Sequence, residues 1–144
     1  MRTTFLLHVN ALIAFIDPRH VDHKVAHDWF ARGAARVGHL PDAQNGVLHI
    51  VGHPRYSNSQ GSPVVMTQLM AKLYALAGHM FCPDDISLLD KTQVDASRLP
   101  ASGQVTDSYL LALACDYGGQ LASLDRRWVA DAVRGIAQGL HLIQ

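Results

Sequence analysis

Short apolar runs alternate with helix-patterned stretches along the whole chain, and this alternation limits the fold more than any other feature. Thr4 to Val9 reads as a first buried strand, and Asn10 to Ile16 as an apolar helix that Asp17-Pro18 stops. His20 to Arg32 carries Val21, Val25 and Trp29 on one stripe, the spacing of a second helix. Val37 to Leu40 reads as a short strand. Pro41-Asp42 opens a helix running through Val51, with Pro tolerated in the first turn and Asp42 offering a cap. Residues 53–61 read as a loop. Ser62-Pro63 starts a helix that continues to Ala77, and Gly78 ends it. His79 to Cys82 is a strand candidate, and residues 95–103 are a polar loop. Thr106 is expected to cap the next helix, which Gly118-Gly119 terminates. Gln120 to Leu124 then reads as a strand, Arg126 to Val133 as a short helix and Leu140 to Ile143 as a last strand. Such alternation predicts an α/β domain whose mostly parallel sheet, of about four to five strands, is covered by helices on both faces. No repeat, low-complexity tract or linker interrupts it, so residues 1–144 are expected to form a single domain.

Composition narrows the partners. Lys and Arg together number 12, as do Asp and Glu, so the net charge is zero. That argues against a strongly basic nucleic-acid binder and leaves room only for a local basic groove. Cys82 and Cys115 lack metal-ligand spacing and imply no disulfide framework, so they read as free thiols in a reducing compartment. No apolar run reaches the ~18–20 residues of a membrane helix, and the stretch from Met1 to Leu7 is too short for a signal peptide. A soluble cytoplasmic protein with no membrane partner is expected.

In open parallel sheets, sites form beyond the carboxyl ends of strands. His8, Asp107 and Asp125 fall at such places. Clustered carboxylates repel unless a cation joins them, and oxygen donors suit Mg²⁺ or Mn²⁺, which can activate water for phosphodiester hydrolysis. Each acid also has a plainer reading. Asp107 in a first helical turn is favoured by the helix dipole, and Asp125 can open a turn. His20, His23 and His27 lie near one helical face, as a solvated face, a zinc stripe or an interface. Arg126 and Arg127 can be solvated helix-start charges or RNA-phosphate contacts, and Arg55, Tyr56 and Asn58 can assist from a loop. There is no glycine-rich phosphate loop, no Gly-x-Ser-x-Gly elbow and no paired-Cys motif.

Four motifs in order carry a resemblance. They are His8-Val9-Asn10-Ala11-Leu12-Ile13-Ala14, Gln44-Asn45-Gly46-Val47-Leu48, Thr106-Asp107-Ser108-Tyr109-Leu110-Leu111-Ala112 and Ala122-Ser123-Leu124-Asp125-Arg126-Arg127. Over nearly its whole length the chain resembles PIN-domain proteins of the VapC type, the ribonuclease toxins of bacterial toxin–antitoxin pairs. The resemblance implies a PIN-like domain, a metal-dependent endoribonuclease site using Mg²⁺ or Mn²⁺, a homodimer, RNA as substrate and a small antitoxin as partner. It carries Asp107 and Asp125 over as acids of the site, with Asn10 and Thr106 as polar supports. The family's first Asp, however, is His8 here, and its Glu is Gln44.

Losing a charge about 4 Å from a divalent ion forfeits roughly 8 kcal/mol of gross attraction at an effective dielectric near 20. Even a net ~3 kcal/mol is over a hundredfold in affinity. His8 could instead ligate Mn²⁺ or Zn²⁺ beside Asp107 and Asp125. Two functions follow as expectations. One is a VapC-like ribonuclease with a degenerate acidic site and impaired activity. The other is a non-catalytic PIN protein that binds antitoxin or RNA.

Overall fold

The computed structural model describes residues 3–32, 36–59, 61–99, 101–126, 133–134 and 139–144. In chain order the elements are β1 (Thr4–Leu7), α1 (Val9–Ile16), α2 (His23–Ala31), β2 (Arg36–His39), α3 (Pro41–Ile50), α4 (Pro63–Tyr74), β3 (His79–Phe81), α5 (Val105–Asp116), β4 (Gln120–Ser123) and β5 (Leu140–Leu142). The strands form one sheet in the order β3-β2-β1-β4-β5, and every pairing is parallel. Parallel strands need crossover helices, and those helices bury both faces of the sheet. Hence Leu6 and Leu7, adjacent residues on opposite faces of β1, are both fully buried. The α/β expectation is met.

The chain runs outward from β1 to β2 and β3, then returns to place β4 on the other side of β1. The strand order therefore reverses at β1, and the crevice between the carboxyl ends of β1 and β4 is where such sheets bind ligands. Two glycines set how closely the elements around β1 pack, one at the amino ends of β1 and β4 and one beside the crevice. A Cβ at Gly119 would lie 2.5 Å from the Thr4 backbone oxygen, so only glycine lets β4 come alongside β1. A Cβ at Gly46 would lie 2.6 Å from Val9 Cγ2, so glycine sets the approach of α3 to the start of α1.

α5 is buried continuously from Leu110 to Ala114, as expected of a helix that is apolar on all sides. Its start differs from the expectation. A 3₁₀ turn, Ser102–Gln104, precedes it, Gln104 takes the N-cap position, and Thr106 is an exposed residue of the first turn rather than the cap. Asp42 likewise lies inside the first turn of α3, where Leu40 is the N-cap and no side chain caps the helix. The strands expected from Thr4, His79, Gln120 and Leu140 end one or two residues earlier than expected, where pairing partners run out, and β2 is shifted back by one residue to Arg36–His39. The helix expected from Arg126 to Val133 lies almost entirely outside the described residues. Among the described residues Cys82 and Cys115 form no disulfide, and burial pushes both thiols up. Among the described residues, no helix is long and apolar enough to cross a membrane.

Candidate active site

β1 delivers His8 into the crevice. The His8 amide still belongs to the sheet, donating to the Ala122 carbonyl at 3.0 Å. Its side chain turns to the start of α1, where it holds the N-cap position and Nδ1 accepts the Asn10 N–H over a long 3.4 Å. The other ring nitrogen, Nε2, faces Asp107 Oδ1 at 3.7 Å. Both side chains are largely shielded, with 15% exposure for His8 and 30% for Asp107. Asp107 reaches this place because it stands in the first turn of α5.

Asn10 ties α1 to the end of β4. Its Oδ1 accepts the Leu124 N–H at 3.0 Å, and its Nδ2 donates to Ser123 Oγ at 3.0 Å. Ser123 is fully buried, and its Oγ accepts the Asp125 N–H at 3.0 Å. Asn10 and Ser123 together fix the backbone that presents Asp125. Sequence reasoning anticipated Asn10 and missed Ser123. The signal was present, since a Ser two residues before an Asp can accept the latter's N–H in a tight turn.

The remaining expected residues are more scattered. Gln44 lies on α3, where its amide stands near the Tyr74 hydroxyl of α4 without a well-formed bond. Thr106 is exposed beside Asp107, and Arg126 is exposed just beyond Asp125. Arg127 lies outside the described residues. His8 and Asp107 are thus brought together, as are Asn10 and the Asp125 backbone.

The donor set does not suit a resident Mg²⁺. That ion demands near-octahedral oxygen coordination. Here Asp107 faces an imidazole nitrogen, and Gln44, whose amide stands near Tyr74, adds no negative charge. Among the described residues, no three His, Cys, Asp or Glu side chains converge in a group able to hold a metal ion.

The three histidines His20, His23 and His27 have another use, and His20 precedes α2, which starts at His23 rather than at the expected His20. His23 Nδ1 meets the Ala14 carbonyl at 2.8 Å, and His27 Nε2 meets the Phe15 carbonyl at 3.0 Å. These are carbonyls of the last turn of α1, left without intrahelical partners, and the two rings satisfy them. His20 Nδ1 accepts the Asp22 N–H at 3.0 Å. Tyr56 and Asn58 likewise turn inward, to the fully buried Asp17, at 2.5 and 3.1 Å, and the Arg19 N–H adds a third bond at 2.9 Å. Burial alone would raise the Asp17 pKa, but the bonds from Tyr56, Asn58 and Arg19 outweigh it and hold the carboxyl below its ordinary value.

No family model matches the chain. Individual proteins do. Ribonuclease VapC39 of Mycobacterium tuberculosis is 33% identical over 138 residues, covering 95% of this chain and 99% of that protein. Ribonuclease VapC44 of the same organism is 37% identical over 135 residues, 90% of this chain and 92% of its own length. The chain belongs to the VapC ribonuclease family. A third VapC relative, Ribonuclease VapC38, is 31% identical over 121 residues. The five-stranded parallel sheet and its flanking helices are the PIN-like arrangement expected of a VapC protein, with the His8–Asp107 pair standing in its central crevice.

Proposed function

We propose that this VapC protein is the toxin of a toxin–antitoxin pair, directed at RNA, with a degenerate acidic site and impaired cleavage. One observation carries the reading: Asp107 is paired with the His8 imidazole at 3.7 Å, at the position where the family resemblance expects a second carboxylate. An acid beside an imidazole, with an amide at position 44, gives a divalent cation less negative charge to bind than a cluster of carboxylates. Mg²⁺ or Mn²⁺ therefore binds weakly or not at all. Asp107, Asp125, His8 and Gln44 mark the inherited site, with Asn10 and Thr106 beside it. Arg126, exposed at its rim, holds RNA phosphate, and Arg127, the next residue in the sequence, shares that role. The chain acts as a single cytoplasmic domain, pairs with a small antitoxin and forms a homodimer. The same observation supports a non-catalytic form of this reading, in which antitoxin or RNA binding persists without turnover.

The experiment is a comparison of the wild type with the double variant His8→Asp, Gln44→Glu. Wild type is expected to bind Mg²⁺ more weakly than about millimolar by calorimetry. The double variant is expected to cleave an RNA pool faster with Mg²⁺. Micromolar Mg²⁺ affinity in wild type would end the degenerate-site reading. A double variant that folds and binds metal yet cleaves no better would end the inherited-site reading. Complete absence of cleavage by wild type with Mg²⁺, Mn²⁺ or Zn²⁺ selects the non-catalytic form.

A further inference from the structure

A second histidine cluster lies away from the site, on the β2–β3 edge of the sheet. His39, at the end of β2, is 1% exposed. Its Nε2 lies 2.7 Å from Nδ1 of His79, the first residue of β3, so one proton is shared between the two rings. The His39 ring stacks on Tyr74 in the last turn of α4, with centroids 3.8 Å apart and planes 20° apart. The His79 ring lies parallel to Phe30 of α2, at 6.4 Å and 4°. Four separate elements therefore meet on one hydrogen-bonded pair.

The surroundings are built for neutral rings. His79 is the titratable group of β3 that acts on His39, and α4 contributes the Tyr74 phenol, which burial pushes up to about 12. Phe30 from α2 and Gln44 from α3 carry no charge. Among the described residues, no carboxylate acts on either imidazole, and burial lowers the pKa of both. His39 Nδ1 and the Tyr74 hydroxyl are buried without hydrogen-bond partners. A proton entering through the half-buried His79 would thus place a charge with no counter-ion beside two unsatisfied polar atoms, the costly arrangement for a low-dielectric interior.

We propose that the His39–His79 pair is an acid-responsive latch, which holds α4 against the β2–β3 edge while its rings are neutral and releases that edge when His79 is protonated. Residue 44 is coupled to the latch because its amide stands near the Tyr74 hydroxyl. Release would change the freedom of α3 and α4 and leave the β1–β4 crevice in place.

The test is an NMR titration of the full chain with labelled histidine rings and backbone amides. The latch reporters are the Val37 N–H, which donates to the Gly78 carbonyl, and the Cys82 N–H, which donates to the His39 carbonyl. The expected result is a His79 midpoint below that of an ordinary histidine, because its ring is partly buried, with the Val37, Cys82 and Tyr74 signals moving at the same midpoint. The Leu121 and Ala122 amides of β4 should stay unchanged through that transition. His79→Phe, which keeps a ring beside Phe30, should abolish it, and His79→Gln serves if the Phe variant does not fold. The proposal is overturned if His79 titrates while the reporters stay still. It is also overturned if β4 signals are lost at the same pH, or if the transition survives in a folded His79 variant.

Discussion

Replacing His8 by Asp restores a carboxylate next to Asp107, and its energetic effect should change sign with divalent cation. In wild type, the His8 Nε2 and Asp107 Oδ1 lie 3.7 Å apart. Two carboxylates at roughly 5 Å repel by about 3 kcal/mol at an effective dielectric near 20. Exposures of 15% and 30% admit some solvent screening, which leaves about 1–2 kcal/mol of that. Against this, Asp is a good N-cap residue, and His8 now caps α1 through a long 3.4 Å bond. That exchange returns about 0.5 kcal/mol.

The His8→Asp variant should therefore be less stable than wild type by about 1 kcal/mol in chelator, a fall in Tm of about 3 °C for a domain of this size. A cation present at a hundred times its Kd adds about 2.7 kcal/mol. Titrating Mg²⁺ should thus raise the variant's Tm by about 8 °C while wild type barely moves. Differential scanning fluorimetry with chelator and then with Mg²⁺ reads both effects. The reasoning is refuted if the variant is the more stable protein in chelator, or if Mg²⁺ stabilises wild type and variant equally.

Three further outcomes follow from other parts of the molecule. Tyr56→Phe removes the 2.5 Å donor to the buried Asp17 carboxylate and should cost about 1.5–3 kcal/mol, seen as a lower urea midpoint; an unchanged midpoint would show that the bond contributes nothing. His39 titrates near 3 in the folded state, because of burial and then the neighbouring His79, against 6.5 for an ordinary histidine. The unfolded chain then binds more protons between these values, so stability is lost as pH falls from 6.5 toward 3, by up to about 5 kcal/mol at the lower end, and His39→Gln should flatten that slope in urea melts taken at several pH values. Gly119→Ala would drive a Cβ to 2.5 Å from the Thr4 carbonyl oxygen and should destabilise by more than about 2 kcal/mol, whereas a Tm within a degree of wild type would mean that β1 and β4 can part at little cost.

The alternation of apolar runs was enough to predict the parallel sheet, because strands buried on both faces leave a local pattern. His8 and Asp107 could be nominated from their places beyond a strand and at a helix start, and the fold sets them side by side. Legibility fell where the deciding partner is remote. The α2 histidines look like a solvated face when read along their own helix. Their role shows only when the last turn of α1 is set against them. Tyr56 and Asn58 look like exposed loop residues, and it is the burial of Asp17, some forty positions earlier, that turns them inward. Thr106 lies inside the helix rather than at its cap for a local reason, since the 3₁₀ turn before it sets the helix start two residues earlier.

The clasp between Asn10 and the end of β4 joins residues 113 positions apart. Chains emerge from the ribosome amino terminus first, and closing so long a loop has to await its far end. β1, β2 and β3, with α1 to α4, are all synthesised before α5 and β4. A nascent chain halted between Gln44 and Asp107 carries His8 and Gln44 but neither Asp107 nor Asp125, and nothing yet to hold Asn10 in its bonded position. Whatever this protein does to RNA, it can do only once its message has been read through Asp125.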